Sequence, residues 1–288
     1  MLFSVIVTTY NHEDYIEKCL TSIFEQKEVD FEVIVGDDCS TDGNLSKIRD
    51  LCKDRSNAII LSADKNIGLQ KNLLRCWQKS SGSFVSICEG DDYWTDPYKL
   101  KKVSIAMDSQ KKARMCFHDL QLDIGGELKT HLHTKENLPI LVGVTDALLP
   151  TNFIGNFSCC TYRREVVDLI PDSFWNSTTD YDWLFNLYVL NEGVGFYLNE
   201  KLSAYRIHIN SKYSSLPQEE KFKGFIQACL KYNDIFQSKY LSEFTDAILM
   251  NQATLFGSDK AVNCNPKKIE CWKVIEKLLK KLKREVIR

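Results

Sequence analysis

Residues 3–88 alternate between two hydrophobic periods, and that alternation leaves few folds open. Short continuous apolar runs, Phe3–Thr8, Phe31–Val35, Ala58–Leu61 and Phe84–Cys88, read as strands, Phe31–Val35 and Phe84–Cys88 as buried ones. Between them lie stretches with helical spacing. Tyr15–Gln26 puts Ile16, Cys19, Leu20, Ile23 and Phe24 on one face, Ser46–Cys52 is a second helix, and Leu69–Gln78 is a third with Leu69, Leu73, Leu74 and Trp77 inward. Strands separated by helical crossovers pair in parallel, so the pattern predicts an α/β domain, a mainly parallel sheet with helices on both faces. Each strand run ends in polar residues: Thr8-Thr9-Tyr10-Asn11, Asp37-Asp38, Asp64-Lys65-Asn66 and Glu89-Gly90-Asp91-Asp92. The C-terminal strand ends of such a sheet face one crevice, so four polar loops are expected to meet there.

The fourth loop carries the most chemistry. Glu89, Asp91 and Asp92 crowd three carboxylates around one glycine, and crowded carboxylates favour a cation. Hard oxygen donors suit Mg²⁺ or Mn²⁺. Aspartate also favours turns, so a solvated acidic turn is the plainer reading of these residues by themselves. Asp96 and Pro97 read as the N-cap and first residue of the next helix. Asp38–Gly43 begins like an EF-hand loop, but Arg49 stands where the twelfth position needs a bidentate Glu, which excludes that reading.

The rest of the chain is less regular. Ala113–Leu122 has a strand core, Asp123–Glu127 is a turn, and 127–143 is polar and irregular, with His131 and His133 read as exposed loop residues. Ser158–Tyr162 reads as a strand and Arg163–Ile170 as a short helix stopped by Pro171. Thr178–Gly193 holds a helical pattern, with Trp183, Leu184, Leu187, Tyr188 and Leu190-Asn191 on its apolar face, Thr179 or Asp180 as its N-cap and Glu192-Gly193 at its end. A carboxylate at that helix start is stabilised in its charged form and able to accept a proton. In Lys201–Ser215, Arg206 and His208 share one face of a strand. Gln218–Arg288 reads as three helices. The last, 267–288, has seven Lys and two Arg against three Glu, with an apolar stripe of Ile275, Leu278, Leu279, Leu282 and Val286. That stripe suits either an anionic membrane surface or docking on the protein itself.

Composition excludes several classes. A net charge of −2 over 288 residues gives no global attraction to nucleic acid. No apolar run approaches the ~18 residues of a membrane span, and the start, MLFSVIVTTYNHEDY, has no basic region of a secretory signal. Eleven cysteines, an odd number without a C-x-x-C pair, read as reduced core residues. A cytoplasmic protein is expected, peripheral at the inner membrane face if 267–288 binds lipid.

Four segments in order, SVIVTTYNHEDYIEKCLTSI, FEVIVGDDCSTDG, NIGLQKNLL and GSFVSICEGDDYWTDPYKL, are similar to the amino-terminal half of family 2 glycosyltransferases of the bacterial polysaccharide type. The resemblance implies a GT-A fold, a Rossmann-like mainly parallel sheet, over 1–215, with a nucleotide-binding half at 1–110 and an acceptor half at 111–215. A C-terminal helical extension then covers 216–288. It implies that Thr8 and Tyr10 contact the base, Tyr10 by stacking, that Asp38 accepts from the base, and that Lys71 supplies a cation. Asp91 would lie near the ribose and Asp92 on Mn²⁺ or Mg²⁺, with Glu89 in the place of the first acid of the motif. Asp180 would be the general base, with Asp182 the competing candidate. YRIH resembles a closing strand in which Arg206 lies near the diphosphate and His208 near the metal. The implied activity is metal-dependent, inverting transfer of a sugar from a nucleotide-diphosphate donor, a UDP-sugar above others, to a hydroxyl of a glycan or lipid-linked acceptor. A sugar nucleotidyltransferase would need a Gly-rich loop after the first strand, whereas no glycine precedes Gly36. An inactive nucleotide-binding scaffold would not need Asp38, Asp91, Asp92 and Asp180 together.

Overall fold

The structure is a computed structural model describing residues 2–130, 140–148, 152–177, 182–208 and 216–256, without the side chains of 252–256. Asp180, His131, His133 and 267–288 lie outside the described residues. The chain divides into two compact units, Met1–Ala147 with Phe153–Ser214, and Leu148–Asn152 with Ser215–Arg288.

The first unit opens with β1 (Phe3–Thr9), α1 (Ile16–Phe24), β2 (Phe31–Asp37), α2 (Asn44–Cys52), β3 (Ala58–Ser62), α3 (Leu69–Lys79) and β4 (Phe84–Glu89). It continues with β5 (Tyr93–Trp94), α4 (Lys99–Ser109), β6 (Ala113–Ile124), β7 (Glu127–Thr130), β8 (Leu141–Val142) and α5 (Val144–Ala147). After Phe153 come a 3₁₀ turn (Phe157–Cys159), β9 (Cys160–Arg163), a second 3₁₀ turn (Arg164–Leu169), α6 (Asp172–Trp175), α7 (Asp182–Asn191) and β10 (Val194–Ile207). These strands form one sheet in the order β3-β2-β1-β4-β9-β6-β10-β5, with β7 on β6 and β8 on β10. β3, β2, β1 and β4 are all parallel. β9 then enters antiparallel to both β4 and β6, while β6 and β10 run parallel.

The period of two along the parallel strands sorts the core. Phe3, Val5, Val7, Val33, Val35 and Cys88 pack with Ile16, Leu20 and Ile23 of α1, Ile48 of α2 and Leu100, Val103 and Met107 of α4. The opposite face meets α3, where Trp77 stacks on Tyr162 and Phe185 with ring centroids 5.8 and 5.7 Å apart. Helices thus cover both faces, as the alternation predicts. Cys19, Cys88, Cys116, Cys159 and Cys160 are buried, which accounts for the apolar setting of the cysteines in the sequence.

Several local expectations are corrected. The inward face of α3 contains Asn72, buried at 1% exposure, whereas Leu69 and Leu74 are half-buried. Gly68, at φ 88, stands immediately ahead of that helix. α3 lies so close to β2 that a Cβ on Gly36 would stand 2.6 Å from Asn72 Oδ1, and Asn72 Nδ2 donates to the Gly36 carbonyl at 2.7 Å. A polar side chain with a backbone partner is tolerated there. α4 begins at Lys99, two residues late, because Asp96 accepts from the Tyr98 amide and forms a turn ahead of the helix. Arg164–Leu169 is 3₁₀ rather than α-helical, β9 begins at Cys160 rather than Ser158, and Glu127–Thr130 is an edge strand rather than irregular.

At the N-terminal edge, remote from the polar loops, Glu32 is 7% exposed. Its Oε1 accepts from Ser4 Oγ at 2.6 Å, Ser81 N at 2.7 Å and Ser81 Oγ at 2.8 Å, tying β1 and β2 to the entry of β4. Burial works to raise the Glu32 carboxyl, but these donors outweigh it and hold the group below its ordinary value. A depressed carboxyl stabilises the folded chain above the unfolded value of 4.5, and that contribution disappears as pH falls through the lower folded value. Glu32→Gln is therefore expected to cost about 1–3 kcal/mol in urea unfolding at neutral pH. The deficit should shrink as the acid limb is entered; a pH-independent deficit would mean that the charge of Glu32 contributes nothing.

In the second unit α8 (Gln218–Ile235) packs on α9 (Leu241–Phe256), with Tyr232 edge-on to Phe244 at 6.5 Å. Among the described residues no helix is long and apolar enough to cross a membrane.

Candidate active site

The loops after β1, β2, β3 and β4 are laced to one another by backbone hydrogen bonds. Asp38 N donates to Thr9 O at 2.9 Å, and Gly90 N donates to Thr8 O at 2.9 Å. Asn11, at φ 55, turns the first loop, and its Oδ1 accepts from Thr41 N at 2.8 Å. Asn tolerates this left-handed conformation better than most residues. Glu13 Oε2 accepts from Gly43 N at 2.8 Å at the start of α2. Gly90 is required by space, since a Cβ there would stand 2.5 Å from Thr9 Oγ1 and 2.9 Å from His12 Nδ1.

The acidic loop separates its three carboxylates into different environments. Asp92 has 0% exposure. Its Oδ1 accepts from Arg206 N at 3.0 Å, and its Oδ2 accepts from Ser158 Oγ at 2.7 Å and Asn156 Nδ2 at 2.5 Å. Burial and the charge of Asp91 push the Asp92 carboxyl up to about 7 against those donors. Asp91 points elsewhere: its Oδ2 lies 3.1 Å from His208 Nε2 and 3.8 Å from His12 Nε2. Burial would raise the Asp91 carboxyl, yet the His208 hydrogen bond and His12 hold it below the usual carboxylate range. Burial holds His12 below its ordinary value, with Asp91 opposing. Glu89, pushed well up by burial and by the charges of Asp91, Asp92 and Asp182, accepts from Asn156 Nδ2 at 3.3 Å.

Arg206, in the last pleat of β10, and His208, one residue past the end of that strand, both address Asp91. Arg206 donates from Nη1 to the Asp91 carbonyl at 2.7 Å. Its guanidinium lies between the rings of Tyr15 and Tyr93, 4.9 and 5.1 Å from their centroids, and its Nε faces Asp123 Oδ2 at 3.8 Å. Asp123 in turn accepts from Tyr93 Oη at 2.9 Å. Arg206 is thus built into the wall of the site, its side chain 11% exposed.

On the other side of the crevice Tyr10 is 42% exposed at the end of β1, beside buried Thr8. Asp38, 4% exposed, accepts from Ile67 N at 2.8 Å and Gly68 N at 2.9 Å, using about half of a carboxylate's four acceptor positions. Lys71 is exposed in the first turn of α3. The cation engaged with the strand ends is Arg75, which donates to the carbonyls of Asp37 at 2.7 Å and Ser62 at 3.0 Å. Asp182 opens α7, accepts from Trp183 N at 2.6 Å, and is pushed up to about 7 by burial.

Four side chains at this site escaped the sequence reading. Asn156 and Ser158 anchor Asp92, His12 approaches Asp91, and Lys99, buried at 0% exposure, donates to Ser158 O at 3.0 Å while lying 4.0 Å over Trp94. Lys99 stands in a run, YKLKK, that looks solvated. Its amine is buried against the Ser158 carbonyl and the Trp94 ring, and burial lowers it to about 8.

A parallel nucleotide-type half sheet joined through an antiparallel strand to a second half, with an acidic loop at the C-terminal edge of β4, is the GT-A architecture. The chain belongs to glycosyl transferase family 2, whose family model matches residues 4–170. The putative teichuronic acid biosynthesis glycosyltransferase TuaG of Bacillus subtilis is 26% identical over 236 residues, covering 81% of this chain and 88% of that protein. An uncharacterized Mycobacterium tuberculosis protein, Rv1520, is 29% identical over 218 residues; the match takes in 74% of this chain but 60% of the mycobacterial one. In fold, Staphylococcus aureus TarS 1-349 in complex with UDP-GlcNAc superposes with a TM-score of 0.67 at 20% identity, covering 96% of this chain and 79% of that one. Mannosyltransferase PcManGT from Pyrobaculum calidifontis, in complex with GDP-Man and Mn²⁺, gives 0.60 at 14% identity, covering 99% and 80%.

Proposed function

We propose that this chain transfers one sugar from a nucleoside-diphosphate donor, a UDP-sugar above others, to a hydroxyl of a glycan or lipid-linked saccharide, with inversion. The observation that carries the reading is Asp91, an ionised carboxylate paired with His208 at the edge where the Thr8, Tyr10 and Asp38 loops meet. The solved structures of like fold named above hold UDP-GlcNAc in one case and GDP-Man with Mn²⁺ in another, which supports a nucleotide sugar and a divalent cation.

Asp91 and His208 would hold Mn²⁺ or Mg²⁺, because Asp92 is sealed behind three hydrogen bonds and Asp91 is not. The cation, when bound, supplies charge neutralisation for the departing diphosphate. Asp92 keeps the loop in shape, and Arg206, held between Tyr15 and Tyr93, orients Asp91 through its carbonyl rather than reaching for the diphosphate. Tyr10 offers an exposed ring for the base, Thr8 and Asp38 border it, and Lys71 stands free to meet the phosphates. In the reaction the acceptor oxygen bonds to the anomeric carbon as that carbon's bond to the β-phosphate oxygen breaks. The acceptor proton passes to Asp180, two positions ahead of Asp182 in the sequence. The basic stripe of 267–288 suits the membrane face where a lipid-linked acceptor resides.

Thermal unfolding with UDP, GDP, CMP and TDP, each with and without Mn²⁺, tests the joint site. At about a hundredfold excess over the dissociation constant, one nucleotide class with Mn²⁺ should raise Tm by about 5–8 °C. No rise with any of them would overturn the nucleotide-and-metal reading.

A further inference from the structure

We propose that Asp123 is a positioning residue: through the Arg206 guanidinium it fixes the backbone of Asp91 and leaves the Asp91 carboxylate to the cation. This rests on the reading of Asp91 and His208 as the cation site. The strand order brings the parts together. β6, β10 and β5 are neighbours, Asp123 lies opposite Arg206 in the β6–β10 register, and Tyr93 lies opposite Ala204 in the β10–β5 register. Asp123 is 3% exposed, and its two oxygens have different tasks. Oδ1 accepts from Gly126 N at 2.8 Å and closes the β6–β7 turn, where Gly125 and Gly126 stand at φ 63 and 92. That bond is the ordinary work of an aspartate in a turn. Oδ2 has no part in the turn: it accepts from Tyr93 Oη at 2.9 Å and lies 3.8 Å from both Arg206 Nε and Lys18 Nζ.

The charge on Oδ2 is what Arg206 needs. A guanidinium on a side chain only 11% exposed has lost most of its water and calls for a facing carboxylate. Asp123 supplies it on the Nε edge, and the Tyr15 and Tyr93 rings, at 4.9 and 5.1 Å, hold the guanidinium between them. The Nη1 atom is thereby aimed at the Asp91 carbonyl, 2.7 Å away, while the Asp91 carboxylate keeps His208 at 3.1 Å. Burial works to raise the Asp123 carboxyl, but the Tyr93 hydroxyl, the Gly126 amide and the charges of Lys18 and Arg206 outweigh it and hold the group below its ordinary value. Without that charge the guanidinium is drawn to another anion nearby, and an Arg206 pair with the Asp91 carboxylate competes with a cation for the same oxygens. Lys18 is a lesser partner of Asp123, since its side chain is 55% exposed and water screens it.

The test is calorimetric titration of the full chain with UDP, in the presence and in the absence of Mn²⁺. Asp123→Asn should weaken UDP with Mn²⁺ about 10–100-fold and change UDP without Mn²⁺ by no more than about threefold. A merely structural role would move both affinities together. Arg206→Gln should reproduce the loss, and Asp123→Asn added to it should cost no more than about threefold further, because two residues acting in one network are not additive. Asp123→Ser, whose hydroxyl can still accept from Gly126 N, serves the same comparisons if the asparagine variant unfolds. Unchanged affinity with Mn²⁺, equal losses with and without it, or additive losses in the double variant each overturn the role of Asp123 and leave Asp91 and His208 standing. No gain from Mn²⁺ in the wild-type chain overturns the cation reading, and this inference with it.

Discussion

Asp91→Asn is expected to keep the fold and lower sugar transfer about 10²–10⁴-fold, the equivalent of several kcal/mol of transition-state charge stabilisation. The fold survives because the Asp91 side chain contributes no bond on which Asp92, Asn156 or Ser158 depends. Transfer fails because the amide brings no negative charge to the cation and none to pair with His208. Initial-rate assays with a radiolabelled donor, alongside Tm, give both numbers. Asp92→Asn is the informative contrast. Its side chain meets Arg206 N, Ser158 and Asn156 with 0% exposure, so that variant should lose stability first. Should Asp92→Asn keep its Tm and lose transfer while Asp91→Asn stays active, the cation belongs on Asp92.

The second expected result concerns the proton. Asp180→Asn should leave UDP binding intact and cut transfer about 10²–10⁴-fold, the range for loss of a general base. Asp182→Asn should cost less transfer and show its effect in Tm, since Asp182 binds the first turn of its own helix through Trp183 N. Asp182 is nonetheless a real competitor. Burial lifts its carboxyl to about 7, near the value that suits a base, and its charge is felt at Glu89. If Asp182→Asn abolishes transfer at unchanged Tm and Asp180→Asn does not, the base is Asp182.

The parallel half of the sheet was readable because β1, β2 and β4 are buried on both faces, although edge strand β3 is only half-buried, and because its helices are buried on one. Phe31–Val35 and the Ile16/Leu20/Ile23 stripe carry periods that local residues alone create. The half beyond Lys112 was read less well. β9 pairs with β4 and β6 in an antiparallel direction that no local pattern announces, and the 3₁₀ turn before it supplies Ser158 only through long-range contacts. Lys99 and Asn72 were passed over for a related reason: a polar side chain in a helix looks solvated until the partner carbonyl, here Ser158 O or Gly36 O, is known.

Residue types and their order determined that a polar, acidic crevice lies at the C-terminal edge of a parallel sheet, and that Arg206 and His208 come together where the last strand ends. Those are consequences of period and of strand direction, which neighbours in the chain settle among themselves. Which of two adjacent aspartates meets the crevice was decided by the tertiary structure. Asp92 is claimed by donors from residues 156, 158 and 206, and Asp91 is left with imidazoles from residues 12 and 208. Neighbours in sequence share a turn, but a buried carboxylate takes its role from the donors that desolvation forces around it, and those donors come from parts of the chain that only folding brings together.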